Sequence, residues 1–381
     1  MRVSVIGAGL GGLCLAQGLR GAGIGVDVYE RDAAITARFQ GYRLVLNPTG
    51  FEALHGCLPE RWHPLLDAIV DDTTVERLIL DPRLNKIGEL GPPRSGLVVD
   101  RHVLRHLLLT GLDVHTGAGL TGYDVLSDGA NGEAPKVQAH FAQGESATAD
   151  LLVGADGVNS AVRTVLTPQT IPTDTGVRFV IGRTPLTEQF QGLSRAWGAK
   201  IAGDGVSLLL GAMHFRIPPK QAAAELAPEV TLPDTGDYVR WAMILPPNGS
   251  LGEQTPQEAV LSRIEGWHPD LRALIEQADP DNSTLLSIRV VEPRDRWAPG
   301  PVTLLGDAIH ATSPTGGNGA NTALRDADVL RRSLIQADGG GRGLLDAVGD
   351  YERQMLEYGA EAVRQSLEAL PAYVGKPKQA A

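Results

Sequence analysis

The first thirty residues allow few local structures. Arg2-Val3-Ser4-Val5-Ile6 is a short, largely apolar run closed by Gly7-Ala8-Gly9-Leu10-Gly11-Gly12. Such a run fits a strand of a parallel sheet covered on both faces. Leu10, Leu13, Ala16 and Leu19 recur at helical spacing up to Gly21-Ala22-Gly23, and Ile24, Val26 and Val28 then alternate into a second strand ending at Glu30. Strand, turn, helix and strand in this order make a βαβ unit. Gly7, Gly9 and Gly12 satisfy the spacing G-x-G-x-x-G. The first glycine permits the tight turn, the second admits a pyrophosphate to the backbone, and the third lets helix and strand pack closely. Amides at the helix start, Leu10 included, complete an anion site. Glu30 follows Gly12 by 18 residues, where a carboxylate accepts ribose hydroxyls and repels a 2′-phosphate; Arg31 beside it is counted in the same site. The unit reads as a dinucleotide site, and the glycines alone leave the choice of dinucleotide open.

Composition removes several other classes. The 381 residues carry 34 Lys and Arg against 45 Asp and Glu, a net charge of −11, so no nucleic-acid partner is expected. Two cysteines, Cys14 and Cys57, are too few for a disulfide framework, and no Cys/His spacing resembles a zinc site. The glycine loop starts too close to Met1 for a secretory signal, and no apolar run is long enough to span a membrane. A cytoplasmic monomer or homodimer without membrane contact is the expectation.

Farther along, Val103, Leu104, Leu107 and Leu108 form a helical stripe, and residues 112–115, 123–126 and 136–142 read as short strands around a loop at 127–135. Leu151-Leu152-Val153 is another buried strand. From about residue 175 the pattern changes: residues 176–182, 205–215 and 238–245 alternate or run apolar between Pro/Gly turns, as in an antiparallel sheet. Helical spacing returns at 258–276, residues 302–305 form a further buried strand, and two helices, 320–336 and 344–370, close the chain. The expected organisation is a discontinuous nucleotide-binding domain of residues 1–70, 97–174 and 285–371. A substrate domain of residues 71–96 and 175–284 is inserted into it, and 372–381 form a tail.

Three later motifs identify the dinucleotide. Leu151-Leu152-Val153-Gly154-Ala155-Asp156-Gly157 through Arg163 resembles the Asp-Gly motif of the group A FAD-dependent monooxygenases, the para-hydroxybenzoate hydroxylase-like family. The stretch from Trp297 to Gly306-Asp307-Ala308-Ile309-His310 is similar to that family's Gly-Asp motif, and Ser313-Pro314-Thr315-Gly316-Gly317-Asn318-Gly319-Ala320-Asn321 to its flavin-ring loop, with Asp326-Ala327 completing the signature. The resemblance implies an α/β fold in which a Rossmann-like FAD-binding domain carries an inserted, mainly antiparallel β-sheet substrate domain and C-terminal helices. Asp307, directly after a buried strand, is placed to accept ribityl hydrogen bonds. Gly317 and Gly319 let backbone approach a flat ring, and the helix from Ala320 and Asn321 would aim its positive end at a reduced flavin. Gly41-Tyr42-Arg43-Leu44 resembles the segment beside the flavin ring, and Asp100-Arg101-His102 the segment whose arginine contacts the diphosphate. For Asp156, a purely local turn role competes with cofactor binding.

The chemistry implied by the resemblance is reduction of FAD by NADPH or NADH as a transient reductant. Reaction with O2 through a flavin C4a-hydroperoxide would follow, with hydroxylation or epoxidation of an aromatic or polycyclic small molecule. Arg43, Pro314 and Asn318 are the flavin-proximal candidates for catalysis, with no acid or base assigned. Phe179, Leu210, Met213, Phe215 and Trp241 are the candidates for the substrate wall, although alternating apolar residues equally fit a plain core. His214 and His310 read more readily as structural than as acid–base groups. A flavin-dependent reductase or dehydrogenase and a non-redox cyclase or rearrangement enzyme remain open. A halogenase is disfavoured because none of the five tryptophans forms Trp-x-Trp.

Overall fold

The computed structural model describes residues 1–34, 41–126, 135–203, 205–245, 249–279, 282–293 and 296–374. Residues 127–134 of the expected loop and 375–381 of the expected tail lie outside these. Arg2–Ile6 sits at the centre of a five-stranded parallel sheet, flanked by Leu151–Gly154 and Gly25–Glu30, with Val302–Leu304 and Val114–Thr116 at the edges. Val3, Val5, Leu151, Leu152 and Val153 are fully buried, as strands covered on both faces should be. Helix Leu10–Gly21 is buried along most of its length because helix Gly319–Asp338 packs over it.

The second large sheet has seven strands, in the order Thr284–Val290, Thr173–Pro185, Tyr238–Leu245, Ser207–Met213, Lys200–Ala202, Leu78–Leu80 and Lys86–Glu89. Its pairings are antiparallel except for Lys200–Ala202 beside Leu78–Leu80. Two three-stranded sheets complete the β structure among the described residues. One places Arg94–Asp100 between Arg43–Leu46 and Val70–Val75, and the other places Lys136–Phe141 between Leu120–Leu126 and Ser146–Ala149. The long helix expected at 258–276 is two helices, Pro256–Arg263 and Pro269–Glu276. The left-handed Gly266 and the proline at 269 account for the break.

The expected domain boundaries, after residues 70, 96, 174 and 284, all fall inside strands, namely Val70–Val75, Arg94–Asp100, Thr173–Pro185 and Thr284–Val290. The chain passes between the two regions along extended, hydrogen-bonded backbone, where composition gives no linker signal.

Strand alternation gives the seven-stranded sheet two different faces. Val180, Leu208, Leu210, Val239, Trp241 and Met243 form one apolar face, which packs with Leu271, Leu274 and Ile275 of the paired helices. The opposite face carries Phe179, Ile181, Arg183, Leu209, Gly211, Met213, Tyr238, Arg240 and Ile244. It looks toward the three-stranded sheet of Arg43–Leu46, since Met213 and Tyr238 pack with Tyr42 and Val98.

Candidate active site

Gly7 and Gly12 of the first loop answer separate steric demands. Gly7 has φ of +108°, and a Cβ there would lie 2.4 Å from the Ala155 carbonyl oxygen. A Cβ on Gly12 would come 2.3 Å from the Gly7 carbonyl oxygen, so helix and strand could not keep their spacing. Gly9 is different: a Cβ on it would meet nothing within 4 Å. It borders a cavity of about 480 Å³.

That cavity gathers residues from distant parts of the chain. Gly7, Gly9, Leu10 and Gly12 line one side, with Glu30 and Arg31 beside them. Arg101 and Asp156 face the cavity, as do Asp307, Gly319 and Ala320. Ala118, Gly119 and Leu120 also line it; they lead into the strand Leu120–Leu126, and their composition carries no chemical signal.

The polar groups on these walls are partly committed and partly open. The Glu30 carboxylate accepts from the Ala8 amide at 3.0 Å and the Asp32 amide at 3.1 Å, which fixes it at the end of its strand. Asp156 Oδ2 accepts from the Ala161 amide at 2.7 Å, whereas its Oδ1 is buried without a partner. Burial pushes the Asp156 pKa up, against the Ser160 hydroxyl and local amides that favour the anion. Arg101 begins the helix capped by Asp100, whose Oδ1 accepts from the Val103 amide at 2.8 Å and whose Oδ2 accepts from the Tyr238 hydroxyl at 2.6 Å. The buried Arg101 Nε has no partner, and burial lowers its pKa while Asp307 opposes the shift. The Asp307 carboxylate is open to the cavity, yet desolvation by the surrounding protein raises its pKa, with Arg101 pulling it back.

A dinucleotide fits this set. Its phosphate oxygens need amides and a guanidinium, supplied here by the glycine loop and Arg101. Its sugar and ribityl hydroxyls need acceptors, supplied by Glu30 and Asp307. The open Gly9 surface and the unsatisfied Arg101 Nε and Asp156 Oδ1 are the features of a site built around a polar guest.

Behind Asp307, the buried His310 Nε2 lies 2.7 Å from Asp326 Oδ2, which also accepts from the Gly306 amide at 2.7 Å. Asp326 Oδ1 accepts from the Tyr358 hydroxyl at 2.7 Å. Burial works against an imidazolium at His310, yet the charge and hydrogen bond of Asp326 outweigh it and raise the pKa. His310 thus holds the turn that presents Asp307. Tyr358 was invisible to motif reading because it arrives from the last helix.

Other expectations move. Asn321 does not point into the cavity: its Oδ1 accepts from the Asn47 amide at 2.9 Å, and its Nδ2 donates to the Val45 carbonyl at 2.9 Å and the Gly317 carbonyl at 3.1 Å. It stitches the loop at 314–321 to the strand Arg43–Leu46. Asn318 donates to Gln365 at 3.1 Å, Gly317 takes a left-handed turn at φ of +67°, and Pro314 is exposed at the start of the loop. Arg43 leaves the cofactor cavity and reaches the seven-stranded sheet, where a Cβ on Gly211 would lie 2.3 Å from its Nη1.

Two of the five substrate candidates lie on the face turned away from the strand Arg43–Leu46. Leu210 and Trp241 are buried in the core beneath the paired helices, and the Trp241 Nε1 donates to Thr184 at 3.3 Å. Phe179 and Met213 lie on the inner face, and Phe215, just past the strand end, packs against Met213's cluster. Alternation names two faces without saying which looks at the cofactor, and the apolar one was the core. His214 lies outside this region, 3.0 Å from Asp237. Among the described residues there is no cluster of three or more metal-ligating side chains, and no helix is long and apolar enough to cross a membrane.

The family whose description is "FAD binding domain" matches residues 1–366. The chain belongs to this FAD-binding family. A crystal structure of a putative FAD-containing monooxygenase from Photorhabdus luminescens is 30% identical, with 98% of each chain covered and a TM-score of 0.78. A dual O-methyltransferase/FAD-dependent monooxygenase of Cercospora beticola is 33% identical over 93% of this chain, a match that spans only 44% of that protein's own length. An FAD-dependent urate hydroxylase of Klebsiella pneumoniae is 28% identical over 100% of this chain and 92% of its own length.

Proposed function

We propose that this FAD-binding chain is a monooxygenase. With NADH or NADPH as transient reductant and O2 as oxidant, it hydroxylates or epoxidises an aromatic or polycyclic small molecule held against the inner face of the antiparallel sheet. The carrying observation is the physical link between cofactor cavity and sheet. Tyr238, on the inner face, donates to the same Asp100 that caps the helix of Arg101. The relatives named as monooxygenase and urate hydroxylase support the same reading.

FAD, when bound, supplies the redox chemistry, and the chain supplies position and charge. Arg101 and the loop amides hold phosphate oxygens, and Glu30 and Asp307 accept hydroxyl hydrogen bonds. Helix Gly319–Asp338 turns its positive end toward the cavity, where it stabilises negative charge. Leu370, Tyr373 and Val374 cover part of the inner face and exclude water from it.

Anaerobic titration of the FAD-loaded protein with NADPH and then NADH, followed by flavin absorbance, tests the proposal. Bleaching, then oxygen consumption with an oxygenated aromatic product on admitting air, is the expected result. A flavin that stays oxidised with both nucleotides in the presence of a panel of neutral and acidic aromatics would overturn it.

A further inference from the structure

The inner face of the antiparallel sheet carries a row of positive charge that forms no ion pair among the described residues. Arg183 pairs directly across from Arg240, and Arg240 across from Gly211. Like charges opposite one another in a sheet are destabilising. Arg43, from the other side of the cleft, adds a third guanidinium over Gly211: a Cβ there would meet Arg43 Nη1 at 2.3 Å and Arg240 Nη2 at 3.4 Å. A larger residue at this spot would push the Arg43 guanidinium aside.

The three arginines are not treated alike. Arg183 lies over the Tyr42 and Tyr238 rings, at 5.4 Å and 5.5 Å from their centroids, which offsets its charge. Arg43 and Arg240 have no ion pair or hydrogen bond among the described residues, and the Arg43 Nε is buried. Burial, and then the charge of Arg43, push the Arg240 pKa down to about 10, with Tyr238 and Tyr373 opposing. Burial likewise lowers the Arg43 pKa, with Tyr238 and Asp71 opposing. A fold accepts two adjoining, half-buried guanidiniums when something outside the chain neutralises them.

The pair also stands beside the loop assigned to the flavin ring. Arg43 is two residues before Val45, whose carbonyl accepts from Asn321 of that loop. On the far side the C-terminal segment closes over the same face, with Lys200 donating to the Ala372 carbonyl at 2.8 Å and Tyr373 near Arg240.

We propose that Arg43 and Arg240 form an anion subsite for the substrate, which therefore enters as an aromatic acid whose carboxylate bridges the two guanidiniums. Planar guanidinium forks suit a planar carboxylate better than any neutral group. The inference rests on the proposed monooxygenase reading for placing the substrate on this face.

The test is equilibrium binding to the FAD-loaded protein, read by the flavin's visible spectrum and by melting temperature, without reductant or turnover. The probes are benzoate and 2-naphthoate against benzamide and 2-naphthamide. The acids should bind at least ~10-fold more tightly than the amides, a preference expected of charge-assisted pairing. Arg240→Gln and Arg43→Gln should each reduce the preference to about twofold or less. Arg240→Gln without ligand should melt no lower than wild type, because it relieves a like-charge contact; Arg240→Lys should keep only part of the preference. Equal affinity for acid and amide in the wild type, no response to either acid, or a preference that survives both glutamine variants would each overturn the subsite. The two readings fail separately: acid preference without nicotinamide-driven bleaching sinks only the monooxygenase, and bleaching without acid preference sinks only the subsite.

Discussion

The cavity beside the parallel sheet and the inner face of the antiparallel sheet both concentrate polar side chains, and they treat charge in opposite ways. In the cavity, charges come in opposed sets. Arg101 faces Asp307, Glu30 is held by two amides, and His310 is paired with Asp326. On the sheet face Arg43 and Arg240 crowd one glycine, and among the described residues no carboxylate forms an ion pair with either. A site for an invariant cofactor can be neutralised from within the chain, because its guest is always the same. A site whose guest changes with every turnover leaves its charge for the guest to meet.

The comparison breaks most visibly at the glycine loop. Gly9 has extended backbone, with φ of −77° and ψ of 175°, and free space where a Cβ would go, so Gly9→Val should fold normally. Its apo-protein should unfold within about 0.5 kcal/mol of wild type, as surface substitutions usually do. FAD affinity should nevertheless fall by at least ~100-fold, about 3 kcal/mol, since the new side chain fills the cavity. Gly12→Ala is the control in the other direction: its Cβ meets the Gly7 carbonyl and should cost about 1–3 kcal/mol of stability. Chemical denaturation and FAD fluorescence separate the two. If both variants lose stability equally, the cavity is not shaped by Gly9.

Arg101 comes next in size. Arg101→Gln should weaken FAD binding by roughly 10- to 100-fold, the worth of one charge-assisted contact. It should also leave Asp307 without its counter-charge. An unchanged FAD dissociation constant would remove Arg101 from the cofactor site.

Much of the cavity was legible because its requirements are local. A tight turn needs glycine at Gly7 and a strand end needs a carboxylate at Glu30, and both leave marks at fixed spacing. Asp307 was legible for the same reason, lying three residues past the end of the buried strand Val302–Leu304. The antiparallel face was not, because its function depends on which parity of an alternating strand looks inward. Trp241 and Arg240 are neighbours in sequence and lie on opposite faces. Arg240 gave no motif, and its meaning depends on Arg43, which arrives from a different sheet. Asn321 was expected at the cofactor; the structure has it in the first turn of helix Gly319–Asp338, and its bonds to Val45 and Asn47 depend on a strand far away in sequence.

One buried carboxylate tests how far internal pairing extends on the cofactor side. Glu352, on helix Leu344–Ala369, accepts from Trp297 Nε1 at 2.8 Å, and burial raises its pKa to about 7. A carboxyl with a raised folded pKa stabilises the protein fully below its unfolded value near 4.5, and that contribution is lost as pH rises through about 7. The loss should be on the order of 2 kcal/mol after allowance for relaxation around the charge. Glu352→Gln keeps an acceptor for Trp297 and cannot ionise. Urea unfolding should therefore show the variant more stable than wild type at pH 8 and the two nearly equal at pH 5. A constant difference across this range would mean that Glu352 ionises without penalty.

The smallest effect discriminates between the two faces of one sheet. Trp241 fills the core beneath the paired helices, so Trp241→Phe should cost about 1–2 kcal/mol and leave ligand affinity unchanged. Phe179 packs with Ile244, Leu286 and Tyr373 on the inner face, so Phe179→Leu should cost about 1 kcal/mol and shift aromatic-acid binding several-fold. Denaturation midpoints and flavin-perturbation titrations on the two variants give four numbers. If Trp241→Phe moves the ligand titration and Phe179→Leu does not, the inward face has been assigned with the wrong parity. Arg240, which shares its parity with the cross-strand partners of Phe179 and Gly211, would then face the core, where an unpaired guanidinium could not stay.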